Sequence, residues 1–172
     1  MKKTTLFLII LTASFLLAGC DLFDKDPCKN KDCGKSDMGG CFDGNCECVT
    51  GVSIGADGKC SLFDRDEFTG IYDKTRCAIS VVVNGQNSPL FEPQMTITEG
   101  SGKDGINIDI PNAQVLCSGS VDKGKITIPL STNGNFQYSG NGQLVNTSTK
   151  KITLNKTDLS NGLIYIYTIQ FN

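Results

Sequence analysis

Cysteine is the residue type here whose number and spacing can do distinctive chemistry: the 172-residue chain has nine. Thiols can pair, hold a metal, carry lipid or attack an electrophile. The chain has no histidine. That excludes Ser-His-Asp and Cys-His nucleophile systems, histidine-ligated zinc and histidine pH switches within this sequence. Six cysteines crowd one stretch, at Cys28, Cys33, Cys41, Cys46, Cys48 and Cys60. One residue between Cys46 and Cys48 is too tight for the paired spacing of a zinc site. Asp24, Asp26 and Asp43 do not supply the converging oxygens that a hard cation needs, so no metal is expected. Few large apolar side chains lie among these cysteines, and so short a segment must be stapled to fold. Six cysteines allow many pairings, and spacing alone does not choose among them.

The other candidates for chemistry are weaker. Asp104, Asp109, Asp122 and Asp158 fall in turns or on the wet side of strands, where a carboxylate is ordinarily solvated. No catalytic residue and no cofactor is expected, with a small carboxylate-dependent hydrolase as the remote alternative. Lys123, Lys125, Lys150 and Lys151 are scattered, without interleaved aromatics, and the net charge is −2. Both features argue against nucleic acid as a partner. Gly100-Ser101-Gly102 lacks the helix and lysine of a phosphate loop.

The elements that would carry the cysteines come next. Lys2 and Lys3 form a basic head, and Leu6 to Leu17 an apolar run broken by Thr12 and Ser14. The run is too short for a comfortable membrane span and has the flanks of a secretory signal. Leu17-Ala18-Gly19-Cys20 closes it and resembles a bacterial lipobox. That resemblance implies a signal peptide over residues 1–19, lipidation of the Cys20 thiol and acylation, as by palmitate, of the new amino terminus. Residues 20–27 then read as a lipidated tether. Asp21, Asp24 and Asp26 beside the anchor resemble the export signals of Bacteroidetes surface lipoproteins, which implies the outer membrane and the cell surface. In enterobacteria, an Asp directly after the lipidated cysteine implies retention in the inner membrane instead.

With Cys20 assigned to lipid, eight cysteines remain, an even number that suits disulfides in an exported chain. Residues 28–60 resemble an EGF-like domain in their spacing, in the step Cys46-Glu47-Cys48 and in the run from Gly39 to Cys48. The resemblance implies the pairs Cys28–Cys41, Cys33–Cys46 and Cys48–Cys60. Asp43-Gly44 predicts a tight hairpin turn over residues 41–48, and Asp57-Gly58 a turn in the last loop. Such a disulfide-dense module reads as a rigid spacer. Cys77 and Cys117 are left over and are expected to pair with each other.

Residues 61–67 are a short charged junction that predicts a fixed joint or a brief helical turn. From Phe68 onward the pattern alternates with period two between Gly, Asn, Asp and Ser punctuation. The predicted strands are 68–75, 78–83, 94–99, 106–110, 114–121, 125–130, 135–139, 142–145, 151–155 and 163–171. Asn84-Gly85, Asp104-Gly105, Asn133-Gly134, Asn141-Gly142 and Asn161-Gly162 predict hairpin turns, as does Asp122-Lys123-Gly124. Short turns force neighbouring strands antiparallel. The expected fold is mainly β: an EGF-like module followed by an antiparallel up-and-down β-barrel over residues 68–172, with a β-sandwich as the alternative. The opening Phe68-Thr69-Gly70-Ile71-Tyr72 resembles that of surface lipoproteins of Bacteroidetes and, loosely, the first lipocalin strand, with Tyr72 in place of Trp.

Tyr165 and Tyr167 share one face of the last predicted strand, and Phe136 and Tyr138 share a face of another. In a barrel with a cavity these four rings would line it and suit a sugar or an apolar ligand. Ile164 and Ile166 on the other face predict a last strand covered on both sides. The functional expectation is a non-enzymatic surface lipoprotein, held to the membrane through Cys20. Its stalk would present a head that binds a protein, a glycan or an apolar ligand. The alternative is a structural or envelope-interaction protein with no small-molecule site.

Overall fold

The computed structural model describes residues 26–88, 92–146 and 148–172. The expected signal peptide and Cys20 lie outside the described residues.

In the first part, disulfides stand in for a large core. Bonds join Cys28 to Cys41, Cys33 to Cys46 and Cys48 to Cys60, the pairs expected above. Strands β1 (Gly39–Phe42) and β2 (Asn45–Cys48) form a hairpin with Cys41 opposite Cys46. Its turn, Asp43-Gly44, holds both residues at positive φ, 45° and 76°, as a type I′ hairpin requires. Strands β3 (Val52–Ile54) and β4 (Cys60–Phe63) form a second hairpin. Cys33, Val52 and Cys60 are the buried apolar residues of this first part.

The second part is one ten-stranded antiparallel sheet. Its strands are β5 (Gly70–Tyr72), β6 (Cys77–Val83), β7 (Gln86–Asn87), β8 (Met95–Glu99), β9 (Gly105–Ile110), β10 (Val115–Asp122), β11 (Lys125–Asn133), β12 (Phe136–Leu144), β13 (Lys150–Asp158) and β14 (Ile164–Phe171). In space they run β5-β8-β9-β10-β11-β12-β13-β14-β6-β7. From β8 to β14 each strand pairs with its successor, as short turns demand. The departure is at β5 and β6. Only Asp73–Arg76 separates them in the chain, yet β5 pairs with β8 and β6 with β14. So short a link draws the two ends of the sheet together and curls it into a half-barrel. Tyr72 packs edge-on against Phe171 across this seam, with ring centroids 4.7 Å apart. Arg76 donates from Nε and Nη2 to the Asn172 carbonyl, at 3.0 and 2.8 Å. The terminal strands β5 and β7 have three and two residues, too little ladder to zip the edges into a closed barrel.

The inner face follows the alternation. Ile79, Met95, Ile97, Ile106, Ile108, Ile126, Ile152, Leu154 and Ile169 form a single buried cluster. Each such side chain contributes about 2 kcal/mol on burial.

Three expectations are corrected. Cys77 and Cys117 are both free and buried, so the expected bond between them is not formed. Cys77 pairs with Phe171 on β14 and Cys117 with Ile108 on β9. Strands β11 to β14 lie between β10 and β6. The two cysteines are thus several strand steps of about 4.8 Å apart around the sheet, whereas a disulfide needs Cα atoms within about 7 Å. Second, Asn141-Gly142 is no turn. The two strands predicted on either side merge into β12, because Gly140 and Gly142 face inward and make room for packing. Third, β14 lies between β13 and β6, but its outer face is open, with Ile164 and Ile166 exposed.

The junction is a 3₁₀ turn, Asp64–Glu67, and two of its charged residues are buried. Asp64 accepts from the Ser53 hydroxyl of the disulfide-rich module and, at 2.6 Å, from the Lys123 N–H in the β10–β11 turn. Arg65 donates to the Gly102 carbonyl at 2.6 Å and to Glu99 at 2.8 Å, and its guanidinium lies over the Phe63 ring. Lys103 pairs with Asp37 at 3.0 Å. Gly51 comes so close that a Cβ there would stand 2.4 Å from the Asp104 Cβ. The module therefore docks against the end of the half-barrel that carries the β8–β9 and β10–β11 turns.

Candidate functional site

The opposite end carries the β9–β10, β11–β12 and β13–β14 turns, and here the register gathers the predicted rings. Cross-strand pairs share a face. Tyr138 of β12 stands opposite Lys156 of β13, and Lys156 opposite Tyr165 of β14. One step along, Phe136 stands opposite Asp158, and Tyr167 pairs with Leu154 on one side and Val81 on the other. A 3₁₀ turn, Pro111–Ala113, faces them. Between turn and strands lies a cavity of about 310 Å³ lined by Phe136, Tyr165, Tyr167, Lys156, Asp158, Val81, Ser88 and residues 112–114.

Phe136, Tyr165 and Tyr167 thus meet in one place, whereas Tyr138 lies beneath and is 2 % exposed. Tyr138 belongs to the core; its hydroxyl donates to the Gln114 carbonyl at 3.1 Å. Its expected place in the cavity wall is thereby corrected, because the register puts Lys156 between it and Tyr165. The Tyr165 and Tyr167 rings are nearly parallel, with centroids 6.4 Å apart. Burial, with Tyr165 and Tyr138 alongside, pushes the Tyr167 phenol up to about 12.

Lys156 is the residue that the ring pattern did not predict. It is 4 % exposed, although it is a lysine on an apolar face. Its ammonium donates to the carbonyls of Ala113 at 2.8 Å and Gln114 at 3.2 Å. It also lies 3.8 Å from the Phe136 ring centroid and 5.5 Å from that of Tyr165. Gln114 adopts φ 51°, a left-handed conformation, as the cap of the 3₁₀ turn, and its carbonyl serves both Lys156 and Tyr138. Burial lowers the Lys156 pKa, and Asp158 offsets this in part. Asp158 is turned elsewhere: one oxygen accepts from the Ser160 N–H and hydroxyl, the other from Asn161. These bonds hold the Asp158 carboxyl below the usual range. The signal for Lys156 was parity: it continues Ile152 and Leu154 at period two, but the predicted strand stopped at residue 155.

Chemically the site offers flat rings, one buried cation and several amides, which suits binding. A larger hollow of about 680 Å³ lies on the outer face, where β11 leaves β10 beyond Thr127 at a bulge near Pro129. Its lining holds no buried charged group, and its one carboxylate, Asp109, is exposed. Burial pushes the Cys77 and Cys117 thiols up to about 11 and about 12, which disfavours the thiolate that a nucleophile needs.

No protein-family model matches the chain. No curated protein matches it.

Proposed function

We propose that the chain is a surface lipoprotein of a bacterial envelope, possessing a head that binds a small ligand. The lipobox-like Leu17-Ala18-Gly19-Cys20 supports a lipid anchor, and the acidic residues after it support the outer membrane and cell surface. The three-disulfide module, EGF-like in its cysteine spacing, serves as a rigid stalk, and the half-barrel serves as the head. One observation carries this reading: the module docks at one end of the half-barrel, and the aromatic cavity opens at the other. A chain anchored through its amino terminus then holds the cavity away from the membrane. Strands of eight or nine residues such as β13 and β14 span roughly 25–30 Å, which sets the reach of the head beyond the stalk. The role is non-enzymatic.

Expression of the full chain in a Gram-negative host tests both parts. The intact protein is expected in the membrane fraction with acyl mass on Cys20, and Cys20→Ala is expected to move it to the soluble fraction. A small-molecule fragment library followed by NMR is expected to shift the resonances of Phe136, Tyr165 and Tyr167. A protein that stays in the membrane fraction after Cys20→Ala would overturn the anchor. A library that leaves those rings unmoved would overturn the binding role.

A further inference from the structure

Among the described residues, no ion pair balances the charge that Lys156 brings to the cavity, and Asp158 offsets it only in part. Lys156 is buried, and its partners are two neutral carbonyls and ring faces. The one carboxylate in the cavity, Asp158, spends both oxygens on its own turn. A buried ion without a counter-ion is costly, and an anion that enters beside it removes that cost. The ammonium donates to two carbonyls, and its third proton has no acceptor besides the ring faces of Phe136 and Tyr165 among the described residues. A ring face is a weak acceptor, and a carboxylate oxygen is a stronger one.

The walls specify the rest of the ligand. Phe136, Tyr165 and Tyr167 offer flat apolar surface on the strand side. Asn112, Gln114 and Ser88 offer polar groups on the other, where ring substituents can be oriented. A volume of about 310 Å³ is at the small end of ligand pockets, which run from about 300 to 1,000 Å³, so a single ring is the fitting size.

We propose that this cavity binds a ring-bearing organic carboxylate, its carboxylate on the Lys156 ammonium and its ring against Phe136, Tyr165 and Tyr167. The proposal rests on the reading of the half-barrel as a ligand-binding head and adds the class of ligand. Aromatic acids and sugar acids share this chemistry, and the test separates them.

The full chain, purified with its anchor in detergent, is titrated calorimetrically with two matched pairs: 4-hydroxybenzoate against 4-hydroxybenzamide, and glucuronate against glucose. In one pair the acid is expected to bind at least about 10-fold more tightly than its neutral partner, as a charge-assisted hydrogen bond at a buried site implies. The pair that responds identifies the ring. Lys156→Met is expected to abolish the preference for the acid while the neutral compound still binds. A lysine that only clips the Pro111–Ala113 turn in place would, on replacement, weaken acid and neutral compound alike. The wild-type comparison needs no variant and so survives a misfolded one. Equal affinities within both pairs would overturn the carboxylate and leave the binding head standing. Absence of binding by all four compounds, with the fragment library still shifting the rings, would likewise overturn the proposal alone.

Discussion

Cys117 and Lys156 share the inner face of one sheet, and burial moves them in opposite directions. Desolvation disfavours whichever form is charged, so it raises a thiol and lowers an ammonium. This has a sign in stability. Burial pushes the Cys117 thiol from its ordinary value of 9.0 up to about 12. Above pH 9 the unfolded chain therefore loses a proton that the folded chain keeps, and stability falls as pH rises toward 12. Cys77, raised to about 11, and Tyr167, raised from 10.0 to about 12, act with the same sign. Lys156 acts against them: its cost is present while the ammonium is charged in both states and is relieved as pH rises toward 10.5. Tyr72 and Tyr138, whose phenols burial also raises, add to the alkaline loss, so the urea midpoint of the wild type is expected to be lower at pH 10.5 than at pH 8. Cys117→Ala is expected to lower the midpoint at pH 8, because it leaves a small cavity, and to flatten the fall to pH 10.5. A fall as steep as that of the wild type would refute the assignment of the alkaline loss to this thiol.

Strand β12 shows why the same dipeptide reads differently in different elements. Asn84-Gly85 makes a turn, with both residues at positive φ, 48° and 85°. Asn141-Gly142 has the same composition but sits inside β12, paired on both sides with β11 and β13. A Cβ on Gly142 would meet Ile152 Cγ1 and the Lys151 carbonyl at 2.8 Å, and one on Gly140 the Thr153 carbonyl at 2.5 Å. Both glycines serve close packing beneath Ile126, Ile128, Ile152 and Leu154, as a glycine in a strand interior often does. Gly142→Val is accordingly expected to cost about 1–3 kcal/mol through overpacking, despite the better strand propensity of valine. Thermal unfolding followed by circular dichroism reads this as a lower Tm. An unchanged or raised Tm would show that Ile152 moves aside freely.

At the scale of the molecule, Asp64 is one of the side chains that join stalk to head. Its two oxygens accept from Ser53 in the module and from the Lys123 N–H in the half-barrel. Asp64→Ala leaves both donors without that partner, at about 1–3 kcal/mol for each group left unsatisfied. The disulfides and the large sheet hold their own structures without it. The expected result is thus a loosened joint: one rotational correlation time by ¹⁵N relaxation in the wild type, and two in Asp64→Ala. The variant is also expected to be cut faster by protease within residues 61–67. A single correlation time in the variant would assign the rigidity to the other cross-contacts: Arg65 with Gly102 and Glu99, Lys103 with Asp37 and Gly51 with Asp122.

What the sequence by itself determined was local in origin. Period-two runs such as Ile106 to Ile110 and turn pairs such as Lys123-Gly124 are read over a few residues, and they placed the strands, the meander and the all-β class. The cysteine spacing, through its resemblance to EGF-like domains, carried the three pairings. The short charged run at residues 61–67 allowed a fixed joint or a brief helical turn, and the structure has a 3₁₀ turn at Asp64–Glu67. What only the tertiary structure decided depends on residues far apart in the chain. Cys77 and Cys117 satisfy the arithmetic of pairing, but strands β11 to β14 stand between them. The sheet curls because a four-residue link ties its first strand in space, β5, to its last but one, β6, a fact of strand order that no local pattern carries. Phe136, Tyr165 and Tyr167 were visible as rings, yet their meeting around Lys156 needed the register of three strands and the Pro111–Ala113 turn facing them. Periodicity assigns a side chain to a face; only the register and curvature of the whole sheet determine which other side chains share its surroundings.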